Sequence, residues 1–232
     1  MPEAVFLNTA GGVAAGDSLH YGIEVGEGAT AQVTAQAAEK VYRSTGETAR
    51  LHTAVTVGDG GSLEWLPQET ILFDGSRLER GLDVSVAGEG RALLFDSLVF
   101  GRTHSGESLT HGLLVDRWRV RRDGRLLWTD CLRLDGDIAG LQQRPALLGG
   151  ARATGTLLYL SPPDGDLLER AREALAGCAL RCGATLLRPG LLLCRFLAGD
   201  GAALRAGVVR FLSAFRPALP GLAPGLPRLW SC

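Results

Sequence analysis

The sequence predicts a mainly β chain: a β-helix or solenoid-like stack of strand hairpins, followed by a small α+β portion containing two helices. Three observations predict it. An alternating apolar pattern recurs four times before residue 150, a turn containing glycine follows each copy, and the period then lengthens to one that suits helices. On this reading residues 1–150 form a β-rich repeat region and residues 151–232 an α+β cap, the two making one continuous structural unit.

The first copy begins after a flexible turn, Gly11-Gly12-Val13-Ala14-Ala15-Gly16-Asp17. Leu19, Tyr21, Ile23 and Val25 then share one face, and His20, Gly22 and Glu24 the other, the period of two that marks a half-buried strand. Gly26-Glu27-Gly28 supplies a turn, because glycine takes positive φ without steric cost. The later copies are Leu51, Val55 and Val57 before Gly58-Asp59-Gly60-Gly61, Leu78, Leu82 and Val84 before Gly88-Glu89-Gly90, and Leu114, Trp118 and Val120 before Arg122-Asp123-Gly124. A second strand follows each turn, over 29–34, 62–66, 91–100 and 125–134. Strand repeats of this length stack so that each covers its neighbour's apolar face. A β-sandwich with similar hairpins is the alternative, but the apolar positions recur in register in all four copies.

Past Gly149-Gly150 the pattern changes. Residues 156–160 read as a buried strand stopped by Ser161-Pro162-Pro163. Asp164 or Asp166 then caps a helix with Leu167, Leu168, Ala171, Ala174 and Leu175 on one face, ended by Gly177. Strands over 183–187 and 191–197 follow, joined by Arg188-Pro189-Gly190. A second helix starts at Asp200, buries Leu204, Val208, Phe211, Leu212 and Phe215, and stops at Pro217. The tail from Pro220 to Trp230 is too rich in proline and glycine for a regular element, and reads as a docking segment or a loose end.

Composition narrows the function. Hydrophobic residues make up 46% and charged residues 21%, an ordinary globular balance. A formal net charge of -1 and the lack of lysine runs argue against a nucleic-acid partner, the basic stretch Arg117 to Arg125 notwithstanding. The N-terminus lacks the basic and apolar regions of a secretory signal, and no apolar run approaches a membrane span. The five cysteines, Cys131, Cys178, Cys182, Cys194 and Cys232, have no framework spacing. A cytoplasmic chain with reduced thiols is expected.

Common enzyme motifs are absent. No phosphate-binding loop, His-Glu-x-x-His or Gly-x-Ser-x-Gly is present, and Cys178-x-x-x-Cys182 reads as packing at a helix end. Stacking in register would place His20, His52 and Glu79 in one column roughly 5 Å apart from rung to rung, with Val115 as the fourth position. Imidazole and carboxylate at that spacing suit a borderline ion such as nickel or zinc, or else form a solvated polar ladder. Asp17, Glu39, Glu64, Glu69 and Asp74 are neighbouring carboxylates, of a kind that is more often a turn-former or surface charge than a ligand. Tyr42-Arg43 and the stretch Leu66 to Gly75, which includes Gln68 and Phe73, set polar and apolar groups side by side at a loop end. They read as a partner-binding surface or as loop anchors. A carbohydrate-active enzyme on the solenoid would need paired carboxylates in a groove, with Trp65, Trp118 or Trp128 as platforms; at apolar-register positions these tryptophans fill the core instead.

The motifs as a set resemble a known family. Asn8-Thr9-Ala10-Gly11-Gly12 with Gly16-Asp17, then Gln36-Ala37-Ala38-Glu39-Lys40-Val41-Tyr42-Arg43-Ser44, are similar to the urease accessory protein UreD, also called UreH. So are Leu63 to Gly75, Val99-Phe100-Gly101-Arg102 with Gly106-Glu107, and Asp116-Arg117-Trp118-Arg119-Val120 before Leu132-Arg133-Leu134-Asp135-Gly136. The resemblance implies a non-enzymatic maturation factor with a β-helix-like fold. It implies binding to the urease apoprotein and recruitment of UreF and, through it, of the GTPase UreG. It further implies that nickel passes transiently through the interior, with no permanently bound cofactor. Asp17, His20, Glu39, His52, Glu64 and Glu69 are the candidate transit ligands, and Tyr42, Arg43, Gln68 and Phe73 the candidate partner-binding residues. A plain assembly module without a metal role is the alternative. Ala15 stands where the family more often has glycine. Relatives also carry strands before the first motif, so a missing first rung or a misplaced start is expected, which would bare an edge and the apolar face of Leu19, Ile23 and Val25.

Overall fold

A computed structural model describes residues 2–102, 105–222 and 225–230. The chain winds as a β-solenoid of about three turns. One wall is a five-stranded sheet ordered β11-β10-β8-β5-β2, from β2 (Ser18–Val25), β5 (Ala49–Val57), β8 (Arg77–Val86), β10 (His111–Arg122) and β11 (Arg125–Asp137). The other wall begins with β1 (Glu3–Phe6), β3 (Thr30–Ala35), β6 (Ser62–Leu66) and β9 (Arg91–Phe100), with short β4 (Glu39–Val41) and β7 (Thr70–Leu72) beside them.

Glycine turns at the first three repeats are corners rather than hairpin tips. Each sends the chain from the first wall to the second, so β2, β5, β8 and β10 stack parallel on one another, as do β3, β6 and β9. Among the four repeats, the fourth is a hairpin, β10 pairing antiparallel with β11. The corners need glycine: Gly28, Gly60 and Gly88 have φ of +62°, +63° and +45°. Asp59 ties one corner to the next by accepting the Glu89 N–H at 2.7 Å, and Asp123 does so for Gly88 at 2.8 Å.

The repeat register holds for Leu19 beside Leu51 and for Leu78 beside Leu114. Between the second and third copies it slips by two, setting Leu51 beside Arg80 and aligning Val55, Val84 and Val120. A slip of two is tolerated because it keeps every side chain on its own face. Ala15 causes no strain, since Gly16 takes the left-handed conformation at φ +80°. At the open end β2 and β1 are edge strands, yet Ile23 and Val25 are buried, because the opposite wall and Phe6 cover them.

The later chain widens the second wall. β12 (Ala153–Leu160) pairs antiparallel with β9, β14 (Leu191–Ala198) with β12, and β13 (Arg181–Arg188) with β14. α2 (Leu167–Leu175) and α3 (Gly201–Phe215) cover its outer face. Asp200 caps α3 by accepting the Ala203 N–H at 2.7 Å, and all five predicted stripe residues are buried. Pro217 does not stop the chain at once, since a 3-10 turn runs over Arg216–Ala218. Of the two candidate caps for α2, Asp166 holds the position, while Asp164 accepts the Asp166 N–H at 3.1 Å. A short α1 (Ile138–Gln143) was hidden from the periodicity by its length; Asp137 caps it through Gly140 N–H at 2.9 Å.

The tail, apart from Ala223 and Pro224, which lie outside the described residues as do Met1 and Cys232, lies against the second wall. It does contain one regular turn, a 3-10 helix over Arg228–Trp230. Trp230 is buried and donates its indole N–H to Leu66 O at 3.0 Å. Cys182, near Cys178, has its thiol pushed up to about 11, burial being the largest cause, and burial pushes Cys194 to about 12, so neither is a reactive thiolate.

Candidate functional site

Among the described residues, the charged groups between the two walls gather in one layer of an otherwise largely apolar interior. Strand alternation turns Arg80 of β8 inward with Leu82 and Val84, and Asp116 of β10 inward with Trp118. On the opposite wall Asp96, Thr156 and Arg195 are paired across β9, β12 and β14. Arg80 joins the walls. Its Nε and Nη2 donate to Asp116 at 2.9 and 3.1 Å, and its Nη1 to Asp96 at 2.9 Å and to Thr70 Oγ1 at 3.1 Å. Further along, Arg195 donates to Asp130 at 2.5 Å and to Thr156 Oγ1 at 3.3 Å.

A cavity of about 390 Å³ leads into this layer from the open end of the solenoid. Phe6, Tyr21, Leu51 and Trp65 wall it, Glu39 lines it nearer the surface, and Arg80, Thr70 and Asp96 form its floor. A second cavity of about 20 Å³ lies beyond, between Arg80, Asp96, Asp116, Asp130, Thr156 and Arg195. Arg80 and Asp96 border both. Burial pushes the Asp96 carboxyl above its ordinary range, with Asp116 adding to the rise and Arg80 opposing it. Burial opposes the charge of Arg80, but the two aspartates outweigh it and hold the guanidinium protonated. Burial likewise raises Glu39, against hydrogen bonds from Asn8 and the Lys40 N–H.

The six carboxylates and imidazoles singled out in the sequence do not converge. His20 and His52 are neighbours, with ring centroids 5.9 Å apart, but on the outer face of the first wall. The two-residue slip puts Gly81, not Glu79, next in their column. His52 instead bonds Asp83 at 2.8 Å, and Glu79 faces Arg50 at 3.7 Å. Asp17 closes its own turn by accepting the Ala14 N–H at 2.8 Å. Glu39 lines the large cavity and accepts from Asn8 at 3.0 Å. Glu64 and Glu69 are engaged by the C-terminal layer, Glu64 by Arg216 and Glu69 by Arg205 at 3.3 Å. Among the described residues no three His, Cys, Asp or Glu side chains gather as metal ligands.

Of the partner-binding candidates, three come together. The Tyr42 and Phe73 rings meet edge-on at 5.1 Å, Arg102 lies 4.3 Å over Phe73, and Arg43 pairs with Asp74 at 3.1 Å. Gly12 permits this packing, since a Cβ there would lie 2.5 Å from the Tyr42 ring. Gln68 is elsewhere, buried between Arg205 and the tail, and donates to Leu229 O at 2.9 Å. Sequence reasoning missed Arg80, Asp96 and Asp116. Their signal was a charge standing at an apolar position of an alternating strand.

Trp118 is buried and Trp128 packs on it at 6.2 Å, so these two rings fill the core, while Trp65, also buried, walls the large cavity. The family model described as UreD urease accessory protein matches residues 1–231. A urease accessory protein UreD of Rhodopseudomonas palustris (strain BisB5) is 44% identical over 228 residues, spanning 98% of this chain and 78% of that protein. One from Azorhizobium caulinodans is 43% identical over 229 residues, spanning 99% and 82%. One from Methylobacterium sp. (strain 4-46) is 45% identical over 233 residues, spanning 98% and 80%. The chain belongs to the UreD family of urease accessory proteins.

Proposed function

We propose that this chain is a non-catalytic urease maturation factor that binds the urease apoprotein and scaffolds UreF, and through it the GTPase UreG, while nickel is inserted into the urease active site. The observation that carries this reading is the family match over residues 1–231. The exposed cluster of Tyr42, Arg43 and Phe73 supports it, having the aromatic and arginine character enriched in protein interfaces. The interior supports the metal part. Nickel in transit needs weak oxygen or nitrogen donors, because a full cage would trap the ion. The large cavity offers Glu39 near its mouth and Asp96 at its floor. The protein works in the cytoplasm, holds nickel only in passage, and hydrolyses no nucleotide by itself.

Co-expression tests this. Urease produced with all accessory proteins should contain nickel and be active, and omission of this chain should abolish both. Equal activity without it would remove the proposal. Pull-down with urease subunits separates it from a solenoid enzyme that acts alone.

A further inference from the structure

The two interior cavities lie on one polar layer and have Arg80 and Asp96 in common as walls. We infer that the Arg80 guanidinium is a tethered cation that closes the neck between them, and that a cation crosses only when Arg80 swings off Asp96. This rests on the interior route proposed above and names its control point.

The geometry carries it. The Arg80 side chain is 7% exposed, so it fills the neck rather than flanking it. Its grip is unequal. Asp116, on the adjacent strand of the same wall, takes two hydrogen bonds, at 2.9 and 3.1 Å. Across the gap a single nitrogen, Nη1, serves both Asp96 and Thr70. Rotation about the outer side-chain bonds therefore releases the far wall while the near carboxylate keeps the charge paired. A passing cation would meet the vacated Asp96 carboxylate, so the charge lost by one partner is supplied by the other. The trio of Arg80, Asp96 and Asp116 sets two carboxyl groups against one guanidinium, an oxygen lining that favours a cation over an anion at the neck. Beyond it stand Thr156 and the pair Asp130–Arg195, a second carboxylate–guanidinium contact of the same kind.

The test uses urease assembled with all its accessory proteins, limiting nickel, and the time course of nickel bound per urease by mass spectrometry. Size-exclusion chromatography of the same samples reports assembly. Arg80→Ala should load nickel about tenfold faster, equivalent to a barrier lower by about 1.4 kcal/mol, with the complex intact. Arg80→Lys, which keeps a cation but loses the fork, should load faster than wild type and slower than Arg80→Ala. Thr53→Trp, which fills the large cavity, should slow loading in every background. Unchanged loading with Thr53→Trp overturns the interior route itself. Slowing by Thr53→Trp without acceleration by Arg80→Ala leaves the route standing and overturns the gate. Should Arg80→Ala not fold, Asp116→Asn decides in its place: it removes the carboxylate that pairs Arg80 when it swings away, so the guanidinium holds to Asp96 and loading must slow, and loading that does not slow overturns the gate.

Discussion

Glu64 and Arg216 form a bidentate ion pair shut off from water, with Arg216 Nε and Nη2 donating to the two carboxylate oxygens at 2.8 Å each and side-chain exposures of 0% and 4%. The pair ties the second coil to the segment after α3. Deleting one partner leaves the other charged and buried, a loss of about 3–5 kcal/mol, whereas apolar replacement of both is far milder. Glu64→Ala and Arg216→Ala should each lower the denaturant midpoint steeply, and Glu64→Leu with Arg216→Leu should recover most of it. Nickel loss in Glu64→Ala would then follow from a weakened fold, not from a missing transit ligand. A midpoint unmoved by either single change would contradict this.

Trp230 fastens the tail by two separable means, a buried ring against Phe95 at 5.7 Å and an indole N–H to Leu66 O at 3.0 Å. Trp230→Phe removes the hydrogen bond and keeps most of the ring, so it should cost about 1–3 kcal/mol. Trp230→Ala should cost about 3–5 kcal/mol. Equal losses for both would show that packing of the ring contributes little.

The solenoid was legible because each coil repeats the same alternation and ends on a glycine corner, and the α3 stripe because five apolar residues fall on one face. The register was less so. A slip of two at Leu51 and Arg80 leaves the alternation intact, so no local pattern reveals it, and the column through His20 and His52 loses Glu79 as a result. The site was legible only where neighbours in sequence are neighbours in space, as at Tyr42-Arg43. Arg80, Asp96 and Asp116 come from three strands and meet only after the walls close. The ion pair of Glu64 was illegible for a related reason, its partner Arg216 lying on an element packed outside the repeat.

The Tyr42 cluster makes a prediction about docking. Tyr42 is exposed, and its hydroxyl donates to Gly11 O at 2.9 Å while its ring rests on Phe73. Arg102 is exposed and paired with Glu107 at 2.7 Å. Such aromatic and arginine side chains dominate interface energetics when a partner covers them. Tyr42→Ala and Arg102→Ala should weaken pull-down of urease or UreF by about tenfold or more. The melting temperature of the free chain should hold for Arg102→Ala, while Tyr42→Ala, which loses the ring contact and the hydrogen bond, should cost about 1–2 kcal/mol. Binding at wild-type strength in both would move the docking surface elsewhere.

Glu39 predicts a pH signature for the large cavity. Its folded-state pKa is raised, chiefly by burial, so the folded chain holds the proton more tightly than the unfolded chain. Stability then falls as pH rises from the unfolded value through the folded one, and the cost persists at neutral pH. Glu39→Gln removes that cost and keeps an oxygen to accept the Asn8 bond at 3.0 Å. The variant should therefore melt above wild type at pH 7. The gap should close as pH falls through the raised pKa toward the ordinary glutamate range, where wild type is itself neutral at this position. Melting curves of the two proteins across that range check it. A gap independent of pH would mean that the substitution acts through packing, and that the Glu39 carboxylate bears no burial cost a passing cation could relieve.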